Sequence, residues 1–173
     1  MTRSDVGLIG WGEAVLFDVD GHVKARCEFR NLVTSVGDQY YGERAAGVAS
    51  PPAQVTGMKL GTASTAVAKT GAGAGLVTYL SDSQQALSGT PTSTQPGGAG
   101  TARVITFQAI WAAGKANSPA TPITEVVIVN ETLTDALGAQ ASATIARALL
   151  TGISSKGASD TLTVTWNHSI LGA

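Results

Sequence analysis

Two carboxylates, Asp18 and Asp20, stand two residues apart where an apolar run ends, in Ala14-Val15-Leu16-Phe17-Asp18-Val19-Asp20-Gly21. No other residues in the chain have a type and spacing so suited to chemistry. A turn explains the same residues. Asp20-Gly21 supplies the positive φ of a tight hairpin, and the chain then returns as Val23 to Arg30. On that return Val23, Ala25, Cys27 and Phe29 face one way and Lys24, Arg26, Glu28 and Arg30 the other. Period two of this kind marks a half-buried strand rather than a loop opening a helix.

Other candidates offer less. Gly71-Ala72-Gly73-Ala74-Gly75 has the glycines of a phosphate cradle, but no Lys-Ser/Thr pair follows and no helix opens after it. His22 belongs to the turn and His168 to the apolar side of the closing strand. With the single cysteine, Cys27, they have no metal-ligand spacing. Cys27 reads as a buried structural thiol. Serines are plentiful in loops, yet no Gly-x-Ser-x-Gly elbow occurs. The expectation is therefore no catalytic residue, no cofactor and no metal ligand.

The elements that would position these residues are strands. Leu162, Val164, Trp166, His168 and Ile170 alternate with Thr161, Thr163, Thr165, Asn167 and Ser169. Ile105, Phe107, Ala109 and Trp111 align likewise. Further strands are expected at Val55–Leu60, Leu76–Leu80, Ile123–Val129 and Ala143–Leu149, with one or two helical turns over Ser35–Arg44 carrying Tyr40 and Tyr41. Asn31 to Thr34 is expected to end the sheet pairing. Residues 81–100, rich in Ser, Thr, Gly and Pro and including Pro91 and Pro96, read as a long exposed loop. Thr2 to Gly12 mixes Val6, Leu8, Ile9 and Trp11 with glycines and reads as an N-terminal arm or edge strand over 1–12. Residues 13–173 then form a single domain. The expected fold is all-β, an antiparallel β-sandwich or jelly roll with long loops and that extended arm.

Composition narrows the function. Only 13% of the 173 residues are charged, against about 25% in typical soluble domains, which suits a surface covered by neighbours. A net charge of −1 provides no basic field for nucleic acid. No apolar run reaches the roughly 18 residues of a membrane span. Met1 to Asp5 lacks the basic and apolar regions of a signal peptide, so synthesis in a cytoplasm is expected.

Three resemblances bear on function. The Asp18-Val19-Asp20-Gly21 segment resembles the first motif of the haloacid dehalogenase superfamily. That resemblance would make Asp18 a nucleophile and Asp20 an acid/base beside Mg²⁺, in a remote alternative of a Mg-dependent phosphohydrolase. The same residues are similar to the start of an EF-hand loop, without its closing Glu or flanking helices. Three longer segments resemble small structural proteins of tailed-bacteriophage virions. These are Asn31-Leu32-Val33-Thr34 with Gly37; Met58-Lys59-Leu60-Gly61-Thr62 with Thr65-Ala66; and Ala146-Arg147-Ala148-Leu149-Leu150 with Ser159-Asp160-Thr161-Leu162-Thr163-Val164-Thr165-Trp166. Ala63-Ser64 departs from the pattern by replacing its second glycine.

The virion resemblance implies a virion structural protein, made in the host bacterial cytoplasm. It would be a capsid decoration (cement) protein binding the major capsid protein, copies of itself as a trimer or dimer, and other virion proteins. The alternative is a tail, baseplate or fibre component in contact with the host surface. Contact residues are expected at Leu8, Ile9 and Trp11 and at Pro91 and Pro96; Tyr40 and Tyr41 are expected to pack beneath the turn after Arg30, with an interface role as the alternative.

Overall fold

The structure is a computed structural model that describes residues 7–98, 101–138 and 142–171. Among the described residues nine strands and one α-helix follow in chain order: β1 (Gly7–Phe17), β2 (Val23–Val33), α1 (Ser35–Ala46), β3 (Gly57–Gly61), β4 (Gln85–Ala86), β5 (Thr92–Thr94), β6 (Arg103–Trp111), β7 (Glu125–Val129), β8 (Thr144–Leu149) and β9 (Thr161–Leu171). A short 3-10 turn covers Gly71–Ala74. All nine strands belong to one antiparallel sheet in the order β4-β3-β7-β8-β2-β1-β9-β6-β5.

The all-β expectation holds, and the antiparallel strands form a single sheet that curls around its own apolar face. Strand alternation places Leu16, Phe29, Ile128, Phe107, Val164 and Trp166 in one continuous core. Segment 83–94 links the two edges. β4 pairs with β3 at one edge and β5 with β6 at the other. Between them the Leu87 N–H bonds the Thr56 carbonyl (3.4 Å) and the Ser88 N–H bonds the Gln108 carbonyl (2.8 Å). Ser83 joins the same seam. Its Oγ accepts from the Leu60 N–H (3.1 Å), and its carbonyl accepts from the Trp111 indole (2.6 Å).

The hairpin expectation is also met. β1 and β2 run antiparallel, and Gly21 at φ +82° supplies the turn. β2 continues past Arg30. From Asn31 to Val33 it pairs with β8, so this stretch extends the sheet instead of ending it. Thr34 then caps α1, its Oγ1 accepting the Gly37 N–H at 3.0 Å. The helix ends at Gly47, which takes φ +63° and returns its N–H to the Arg44 carbonyl.

Two further expectations are corrected. Residues 7–12 are neither arm nor edge strand. They begin β1, bonded on one side to β9 from Gly7 onward and on the other to β2 from Gly10 onward. The glycines that hide this alternation are required by packing. A Cβ on Gly12 would lie 2.4 Å from the Phe29 ring and 2.5 Å from the Thr165 carbonyl oxygen. The expected boundary at 12/13 thus cuts a strand, and residues 1–6 lie outside the described residues. The segment expected as a long exposed loop over 81–100 also contains the short strands β4 and β5. Leu76–Leu80 contributes only an isolated bridge from Tyr79 to Gly61.

Candidate functional site

Strands β3, β7 and β8 are buried on both faces, because α1 and residues 62–80 cover their outer side. Among the described residues no such cover lies over the outer face of β2, β1, β9 and β6 around Trp11, although Val15 and Ser169 on the same face are buried. Inward on β1 point Leu8, Gly10, Gly12, Ala14 and Leu16, and outward point Ile9, Trp11, Glu13 and Val15. Ile9 is 43% and Trp11 37% exposed, in the middle of the sheet.

Register sets the neighbours of Trp11. It lies opposite Arg30 on β2 and Asn167 on β9, forming one cross-strand row. In the next row Glu13 lies opposite Glu28 and Thr165. These six residues surround an open depression of about 860 Å³. Glu13 is held by Arg26 at 3.0 Å. Asn167 accepts from the Thr106 hydroxyl at 2.7 Å, which leaves its amide N–H groups pointing away from that bond. Glu28 and Arg30, both exposed, have neither ion pair nor side-chain hydrogen bond among the described residues. Beneath this face Phe29 meets Trp166 edge to face, 5.1 Å between centroids, so the sheet under Trp11 is rigidly packed.

The acidic corner has a different geometry. Asp18 Oδ1 accepts the N–H groups of Asp20 (2.9 Å) and His22 (2.8 Å), and these bonds shape the bend. The His22 N–H, chief among the causes, holds the Asp18 carboxyl below its usual pKa. Asp18, Asp20 and His22 could offer ligand atoms to a cation within 4.8 Å of one another. They sit on an antiparallel hairpin, however. The dehalogenase-like motif needs a strand–loop–helix in a parallel layer, and the chain does not form one there.

The buried polar groups serve the fold. His168 is enclosed by Trp166, Phe107 and Tyr41; its Nδ1 meets the Tyr41 hydroxyl at 2.6 Å and its Nε2 the Asn31 amide at 3.2 Å. Burial pulls its pKa from 6.5 down to about 4 and pushes the Tyr41 phenol up. The Gly71–Gly75 segment points a carbonyl, that of Gly73, at the Arg147 guanidinium (3.2 Å), the reverse of an anion cradle. Cys27 is buried, and its sulfur accepts the Thr151 N–H at 3.2 Å.

Of the expected contact residues, Ile9 and Trp11 do reach the outer face. Leu8 turns inward against the core. Tyr40 is buried in the core and Tyr41 is partly buried against it, their rings 5.0 Å apart, which agrees with their packing beneath the turn after Arg30. Pro91 and Pro96 are exposed on either side of β5. Glu13, Glu28, Arg30, Asn167 and Thr165 did not stand out in the sequence. Their signal was the outward phase of β2 and β9, which becomes a site only once β1 is known to lie between those strands.

No family model, no curated protein and no solved structure matches the chain. Among the described residues no helix is long and apolar enough to cross a membrane.

Proposed function

We propose that this chain is a structural protein of a tailed-bacteriophage virion that works by adhesion, decorating the outer capsid through contacts with the major capsid protein and with copies of itself. The observation that carries the adhesive reading is the uncovered outer face around Trp11. An aromatic and an exposed isoleucine, ringed by polar groups on a stiff sheet, have the anatomy of a protein contact with an apolar centre and a wet rim. The virion assignment rests on the three sequence segments quoted above.

A second reading within the virion is supported by the open depression beside Trp11, whose size and mixed polar lining also suit a host-surface ligand. On that reading the chain belongs to a tail, baseplate or fibre. Copy number separates the two. Densitometry of purified particles should find hundreds of copies for a decoration protein and a few to tens for a tail part. Complete absence of the chain from particles overturns the virion role.

A further inference from the structure

The two rows across β2, β1 and β9 differ in hydrogen-bonding character. Arg30, the Trp11 indole N–H and the Asn167 amide make one row of donors. Glu28, Glu13 and Thr165 make the adjacent row rich in acceptors, with two carboxylates in it. On β2 the donor Arg30 and the acceptor Glu28 are two residues apart on one face, and neither has a partner among the described residues.

A two-fold axis lying in the plane of contact, crossing the strands between the rows, would carry each donor onto the acceptor one row away. Arg30 of one copy then faces Glu28 of the other, and Trp11 faces Glu13. The reciprocal contacts form at the same time, as an isologous interface requires. Two stacked sheets stand about 10 Å apart, a gap that an Arg and a Glu side chain span together. The four strands measure about 19 Å by about 30 Å, so two copies would bury about 1,200 Å², the lower end of the range for specific interfaces.

We propose that the outer face of β2, β1, β9 and β6 binds a second copy of this chain, through a two-fold interface in which Arg30 pairs with Glu28 of the other copy and Trp11 packs over Glu13. Two curled sheets then face each other across the interface. The choice of face rests on the adhesive reading, whereas the symmetry rests on the register alone. Dimer mass and particle copy number are separate measurements. A dimer missing from particles sinks the virion role only, and an abundant particle protein that is monomeric in solution sinks the dimer only.

Sedimentation equilibrium of the full chain at tens of micromolar and low salt tests the inference. The wild-type chain is expected at twice its monomer mass, with dissociation rising with salt. E28R and R30E each place like charges face to face and should raise the dissociation constant at least tenfold, while the double variant E28R/R30E restores pairing and the dimer. Circular dichroism establishes that the single variants remain folded. A monomeric or trimeric wild-type chain overturns the inference. So does a dimer indifferent to the single changes, or a double variant, folded by circular dichroism, that fails to recover.

Discussion

Arg147 donates two hydrogen bonds to one carboxylate oxygen of Glu125, from Nη2 at 2.7 Å and Nε at 3.1 Å, with neither side chain exposed to solvent. The pair lies between β7 and β8 on their outer side and organises the irregular chain above it. Glu125 accepts from the N–H groups of Ala63, Val77 and Thr78, and Arg147 donates to the carbonyls of Thr65 and Gly73. Breaking one half strands the other half in a dry site. R147M is expected to cost about 3–5 kcal/mol in urea unfolding, and E125Q less, because an amide still accepts hydrogen bonds. The double variant R147M/E125M should lose less than the sum of R147M and E125M. Full additivity would show that the two residues act separately.

Ser83 makes a second testable joint. Its hydroxyl donates to the Leu60 carbonyl (3.0 Å) and accepts from the Leu60 N–H (3.1 Å), at the seam where the sheet curls back on itself. S83A leaves the Leu60 N–H buried without that acceptor, for a loss of about 1–3 kcal/mol. Amide hydrogen exchange should show the change at Leu60 and along the β3–β4 edge, while the β1–β9 pairing keeps its protection. Uniform loss of protection across the sheet would mean that Ser83 does not act locally.

What was legible follows from what each signal encodes. Alternation in β9 and β6 gave the buried set from Leu162 to His168 and from Phe107 to Trp111. Asp20-Gly21 gave the hairpin. Alternation reports which side of a strand is dry but not what lies across from it, so a curled sheet and a sandwich read alike. β1 was misread because Gly10 and Gly12 contribute no hydrophobic signal. Their role appears only when Asn31 and Phe29 are seen to fill the space a Cβ would need. β4 and β5, at two and three residues, are too short to show any period. Trp11 stood out in the sequence, but Glu28 and Arg30 read as ordinary outward charges until the register brought them beside it.

The glycine argument has its own test. G12A would force a methyl against the Phe29 ring and, at 2.5 Å, against the Thr165 backbone oxygen, which cannot swing away. An overpacked site of this kind costs about 1–3 kcal/mol. At Gly7 a Cβ would meet nothing within 4 Å, so G7A serves as the control, expected to change stability by less than about 0.5 kcal/mol. Chemical denaturation of both variants compares them directly. Equal effects would mean that the close approach of β1 to Phe29 is not what requires glycine.

His168 sets the acid limit of the fold. Burial among Trp166, Phe107 and Tyr41 lowers its pKa from 6.5 to about 4. Below pH 6.5 the unfolded chain takes up the proton, while the native chain does so only near pH 4. Protons therefore favour unfolding across this window. The contribution is complete above about pH 6.5 and shrinks as pH falls, by about 3 kcal/mol at pH 4. H168Q removes the titration while keeping a side chain able to hydrogen-bond Tyr41 or Asn31. Its unfolding free energy, lower than wild type at pH 7, should fall less steeply between pH 6.5 and 4, so that the two curves converge. Parallel curves would show that His168 carries its proton in the native state throughout, and that the Tyr41 contact holds a charged ring.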